Sequence, residues 1–108
     1  MDENKVARQG GPAAGLIEYQ SGAVVSKTLV KTGNGSVTVF AFDQGQELSE
    51  HKAPHDAVVL ILDGQAEFRV SGTPHPLTAG DLLLMPANAP HALEALSRFK
   101  MLLAMIRS

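Results

Sequence analysis

The sequence predicts an all-β domain, a sandwich or a barrel, on three observations. Short segments rich in Val, Leu, Ile, Phe and Thr recur along the chain. Gly, Asn, Asp and Pro punctuate them at close intervals, as turns between strands require. Nothing outside the last apolar run reads as a helix. At 108 residues the chain is the size of one domain, able to bury roughly two-thirds of its unfolded surface around a single core.

The elements follow in order. Residues 1–15 mix charge with Gly-Gly-Pro and Ala, the composition of a loosely attached leader, so the domain is assigned to residues 16–108. AVVSKTLVKT and SVTVFAFDQGQ, joined through GNG, read as the first strands. In AVVLIL both faces are apolar, which a strand tolerates when it is covered on both sides, by a second sheet and by another subunit. Asp63-Gly64 is a two-residue hairpin signal, expected to join AVVLIL to QAEFRV. In QAEFRV, Ala66, Phe68 and Val70 alternate with Glu67 and Arg69, so one face should meet water. HPLTAGD, LLLMPANAP and HALEAL continue the pattern. The run Phe99 to Ile106 is long enough for a short helix, and Met and Leu favour one; in an otherwise all-β chain it is assigned to a strand.

Composition narrows the functional classes. Charged residues are 19% and the hydrophobic set 44%, with a net charge of -2. That is a soluble globular balance, with no electrostatic pull toward phosphate backbones or anionic lipid, so nucleic acid and membrane are not expected partners. No apolar run approaches the roughly 20 residues that span a bilayer, and no secretory signal is evident; a cytoplasmic location is expected. The absence of cysteine excludes disulfides, thiolate ligands and a cysteine nucleophile. No serine elbow and no phosphate-cradling loop followed by a helix is present.

Two spaced blocks carry the chemistry. Gly45 is followed after five residues by His51, then by Ala53, Ala57 and Gly64; Gly80 is followed after five residues by Pro86, then by Asn88 and His91. These blocks resemble the paired motifs of the cupins, small double-stranded β-helix barrels related to the jelly roll. The resemblance covers residues 45–95 and implies such a barrel. In cupins with the full ligand set, three histidines and a carboxylate converge on a transition metal. Here His51 and His91 occupy two of those positions, while Ala53 stands for the second histidine and Ala57 for the glutamate. Asn88 replaces the middle glycine of the second block, and Ala95 its last asparagine.

The expected metal ligands are therefore His51, His91 and, as a third, His55. If residues 51–57 ran as one strand, His55 would share a face with His51, although Pro54 suits an edge or an irregular position better. The alternative for each histidine is a hydrogen-bonded side chain lining an apolar pocket, or for His55 an exposed loop. His75, between two prolines, reads as a surface turn. Phe40, Met85, Met101 and Met105 are the candidate pocket residues, with core packing as the competing role. Asp43, Gln46 and Glu47 could offer oxygen but read as solvated.

Two functions lead at this level, with a purely structural or sensory domain that holds no small ligand as a third. One is a cupin that binds a divalent transition metal (Zn, Mn, Fe, Ni or Cu) through barrel histidines and a small molecule in its interior. The other is a barrel without metal that acts as a small-molecule binding or sensory module. Whether either catalyses a reaction is left undecided. The resemblance also implies a homodimer, which the two-faced AVVLIL supports independently.

Overall fold

A computed structural model describes residues 10–107, so residues 1–9 of the expected leader and residue 108 lie outside the described part. After a 3-10 turn at Ala13–Leu16 come β1 (Val24–Thr32), β2 (Gly35–Phe42), β3 (Glu47–His51), β4 (Asp56–Asp63) and β5 (Gln65–Val70). They are followed by β6 (Thr73–Thr78), β7 (Leu82–Met85), β8 (His91–Ala95) and β9 (Phe99–Ile106). The strands form two antiparallel sheets, β1-β2-β9-β4-β7 and β3-β8-β5-β6, which face each other across one interior. This is the all-β, jelly-roll-like double-stranded β-helix that the sequence predicts. No helix among the described residues is long and apolar enough to cross a membrane.

The apolar periods resolve accordingly. In β4, Ala57, Val59 and Ile61 are buried between the sheets, while Val58, Leu60 and Leu62 are half-buried on the outer face. The Phe99–Ile106 run is a strand because β2 and β4 pair with it on either side. Two ladders and the burial of Phe99 and Met101 outweigh the few tenths of a kcal/mol per residue by which Leu and Met favour a helix.

The Asp63-Gly64 expectation is corrected. β4 pairs with β7 and β9, and β5 with β6 and β8, so the chain passes from one sheet to the other at Gly64 and makes no hairpin there. Gly64 has φ 76°, and a Cβ at this point would lie 1.8 Å from the Arg98 carbonyl oxygen. Glycine is needed here for the close crossing of two backbones as well as for its φ.

One end of the interior is closed by aromatic rings. Phe42 and Phe99 stack with centroids 4.7 Å apart, and Phe68 meets Phe99 edge-on at 6.4 Å. All three are essentially inaccessible to solvent. At this same end the outer face of the larger sheet is covered by the chain's own N-terminal segment, where Leu16 and Ile17 pack on Val39 and Ala41. The turn's carbonyls are satisfied by lysines: Lys100 Nζ donates to Ala14 O at 2.7 Å and Lys27 Nζ to Leu16 O at 3.1 Å. Tyr19 lies against Lys100 and donates its hydroxyl to Asp63 at 2.6 Å. Burial, and then this bond to a carboxylate, push the phenol's pKa up. From Ala13 onward the expected leader is thus part of the packed structure.

Replacing Phe99 by Ala should lower unfolding free energy by about 3–5 kcal/mol, the cost of a large core cavity. Denaturant titration of the two proteins measures it.

Candidate metal and ligand site at the barrel mouth

The open end of the barrel gathers the end of β3, the start of β8, the end of β7, the start of β4 and the end of β9. His51 and His91 are register partners on β3 and β8, with ring centroids 4.2 Å apart and planes inclined by 67°. Strict alternation would not put His51 there. Leu48 pairs with Leu93, and three residues on β3 then oppose two on β8, so one extra residue is inserted between Leu48 and His51. This bulge brings His51 onto the face already occupied by Leu48 and His91. Bulges re-aim side chains in this way.

Both rings are held alike. His51 Nδ1 lies 2.9 Å from Ser49 O, and His91 Nδ1 lies 3.0 Å from Ala89 O, each a carbonyl two residues earlier. A carbonyl can only accept, so each Nδ1 carries the proton and each Nε2 keeps a free lone pair. This is the arrangement that orients imidazoles as metal ligands. His51 is exposed and His91 half-buried, so the pair lies at the rim. Below it is a small apolar cavity of about 50 Å³, open at its mouth and lined by Phe40, Leu48, Phe68, Met85, Met101 and Leu103 together with the two histidines.

The second motif block is shaped by its loop. Asn88 adopts φ 67°, a left-handed conformation that Asn tolerates better than most residues, so it can stand where the cupin motif has glycine. Its N–H donates to Ala53 O at 2.8 Å, tying the two motif loops together.

The other expected site residues fall in different places. His55 does not join the pair. β3 ends at His51 and β4 begins at Asp56, so no continuous strand carries alternation from 51 to 55. His55 instead accepts a hydrogen bond at Nε2 from Arg107 Nε at 2.8 Å. Phe40, Met85 and Met101 line the histidine cavity, whereas Met105 lines a separate cleft beside His55. His75 lies half-buried within β6 rather than in a turn. Asp43 accepts from the Gly22 and Gln44 amides and from Arg98, and these bonds lower its pKa to about 2. Leu48, Phe68, Leu93 and Leu103 were not singled out from the sequence, although the alternation of QAEFRV already pointed Phe68 inward.

The donor set fits a metal in part. Two imidazoles bound through Nε2 at about 2.0–2.1 Å in a tetrahedral shell would hold their centroids roughly 5 Å apart, within about 1 Å of the 4.2 Å observed. Among the described residues, however, no group of three or more His, Asp or Glu side chains is placed to hold an ion. Ala57, at the position of the cupin glutamate, is 6% exposed and pairs with Met85 on one side and Met105 on the other.

Comparisons with known proteins agree with this barrel. The cupin domain family model matches residues 38–106, and the chain belongs to the cupin family. A cupin superfamily protein from Desulfitobacterium hafniense is 32% identical with a TM-score of 0.86, over 90% of this chain and 89% of that one. A conserved protein of unknown function from Streptococcus pyogenes is 32% identical with a TM-score of 0.84, over 100% of this chain and 86% of that one. A cupin 2 conserved barrel domain protein from Leptotrichia buccalis is 43% identical with a TM-score of 0.84, over 87% of this chain and 46% of that one. Among curated proteins none matches.

Long-range proton–nitrogen correlation of the two imidazoles should find the Nδ1–H tautomer for each neutral ring. A neutral ring that carried its proton at Nε2, with Nδ1 bare, would show that its carbonyl bond is not made in solution.

Proposed function

We propose that this cupin binds one divalent transition metal ion between Nε2 of His51 and Nε2 of His91, and holds a small organic molecule in the apolar cavity beneath. The observation that carries the reading is the matched pair of Nδ1–H···O=C bonds on two rings whose centroids are 4.2 Å apart, which leaves the Nε2 of each neutral ring free to bind. A bound ion of this kind supplies Lewis acidity at positions left open to water or substrate. The chain's own contributions are orientation and exclusion: the bulge in β3 aims one ring, the Ala53–Asn88 loop contact fixes the other loop, and Phe40, Phe68 and Met101 keep the floor dry. Only imidazole is offered, so zinc, copper, nickel and iron suit it better than magnesium or calcium.

The second reading is a barrel that binds a small molecule without metal. It is favoured by the alanines at positions 53 and 57 and by the absence, among the described residues, of a third His, Asp or Glu side chain placed to hold an ion with the pair. Here the histidines would serve as paired hydrogen-bond acceptors at the rim of an apolar pocket. Elemental analysis after loading untagged protein with Zn, Mn, Fe, Ni or Cu and dialysing it separates the two. Near-stoichiometric metal that is lost in both His51→Ala and His91→Ala is expected. Protein that retains none of the five metals leaves the second reading.

We also propose a homodimer through the bare half of the larger sheet's outer face. Val30, Val37, Ala104, Val58 and Leu84 are successive register partners across all five strands, an uncharged row extended by Leu60, Leu82 and Ile106. Leu82, Leu84 and Ile106 are 63%, 57% and 56% exposed. A contiguous apolar patch of this kind is unusual on a monomer, and a flat sheet face can pair with its own copy about a two-fold axis. Light scattering should give a dimer at micromolar concentration and a monomer for Leu84→Lys; a monomeric parent protein would refute it.

A further inference from the structure

The cleft beside His55 lies at the same open end of the barrel as the histidine pair but has the opposite chemistry. It is lined by Lys31, Thr32, Gly35, Ser36, His55, Met105 and Arg107, with no carboxylate among them. Lys31, Ser36, Met105 and Ala57 are successive register partners across β1, β2, β9 and β4. By strand alternation they share the interior face with Leu103, one step along β9, which lines the histidine cavity. Two residues along a strand rise about 6.6–6.8 Å, so the two spaces are neighbours on one wall.

Among the described residues the cationic groups here lack anionic partners. Among the described residues neither Lys31 nor Arg107 is in an ion pair; those formed are Arg69–Glu67 and Arg98–Asp43. Arg107 is steadied by two bonds, its N–H to Asn34 O at 2.8 Å and its Nε to His55 Nε2 at 2.8 Å. An Nε pinned in this way leaves the terminal guanidinium nitrogens free for a ligand. Because His55 accepts at Nε2, its neutral ring carries the proton at Nδ1, and that atom is buried with no acceptor. Such an orphan donor is costly. The adjacent carboxylate, Asp56, is turned away and accepts from the Ala87 amide at 2.9 Å.

We propose that this cleft is an oxyanion site: Lys31 and Arg107, with the Ser36 hydroxyl, hold the carboxylate or phosphate group of a small amphipathic ligand whose apolar part extends along β9 toward Leu103 and Met101. The position of the apolar part rests on the ligand cavity proposed above; the oxyanion contact does not, and neither requires a metal. Guanidinium and ammonium groups recognise such oxygens by charge-assisted hydrogen bonds, and the thioether and leucine walls accept a hydrocarbon chain.

Titration of metal-free protein, followed by backbone and methyl NMR, tests this with three probes: inorganic phosphate, hexanoate and neutral hexanol. Phosphate should move signals of residues 31, 36 and 107 only. Hexanoate should move these and the methyls of Leu103 and Met101, with a dissociation constant on the order of 1 mM. The double variant Lys31→Gln, Arg107→Gln, whose changes are on the surface, should weaken both anions about tenfold or more and leave hexanol unaffected. The proposal is overturned if neither anion moves the signals of residues 31, 36 and 107, or if their binding survives the double substitution. Anion shifts confined to those three residues, with Leu103 and Met101 silent to hexanoate and hexanol, keep the oxyanion site and sink the apolar cavity. Hexanol and hexanoate moving only Leu103 and Met101 keep the cavity and sink the oxyanion site.

Discussion

Closure of the barrel at one end by Phe42, Phe99 and Phe68 is the contact on which the other features depend. These rings come from β2, β9 and β5 and join the two sheets. Once that end is filled, the sheets are held at side-chain spacing, and the opposite end of the same interior is left less completely filled, with His51 exposed and His91 half-buried at its rim. The histidine pair, the apolar cavity and the cationic cleft all occur there. Gly64 belongs to this constraint as well: it lets the chain cross between sheets directly over the Arg98–Phe99 backbone, where any side chain would force the layers apart.

The mouth divides its chemistry by sheet. The smaller sheet contributes the paired imidazoles, each oriented by the carbonyl two residues before it, with Leu48 and Phe68 below them, and the larger sheet contributes thioethers, Leu103, lysine and arginine. A molecule entering would meet nitrogen lone pairs on one side and cations on the other, over an apolar floor. Alanine at 57 is consistent with this division. A glutamate there would set a carboxylate in the row that also holds Lys31 and Ser36, and would compete for the charge that we assign to a ligand.

The outer surface of the larger sheet is likewise divided. Toward the closed end it is covered by the residues around Leu16 and Ile17, held down by lysine bonds to turn carbonyls and by the Tyr19–Asp63 contact. Toward the mouth it is bare. The covered half shows what the apolar face requires, since Val39 and Ala41 become fully inaccessible beneath a few residues of chain. The uncovered half has the same composition, which is the reason for assigning it to a second subunit.

The sequence by itself determined the fold class and where the strands fall along the chain, because these are written in local quantities, the two-residue period and the turn residues; the two histidines followed from the resemblance of the spaced blocks to the cupin motifs. It also located Asn88 at a position that normally needs glycine. Tertiary structure alone decided three matters. Asp63-Gly64 has hairpin chemistry, but which sheet a strand joins depends on long-range pairing that no dipeptide encodes. His51 faces inward because β3 carries an extra residue against β8, a register known only from both strands together. His55 meets Arg107, 52 positions away in sequence, because β3 ends at His51 and no strand carries its alternation on to residue 55.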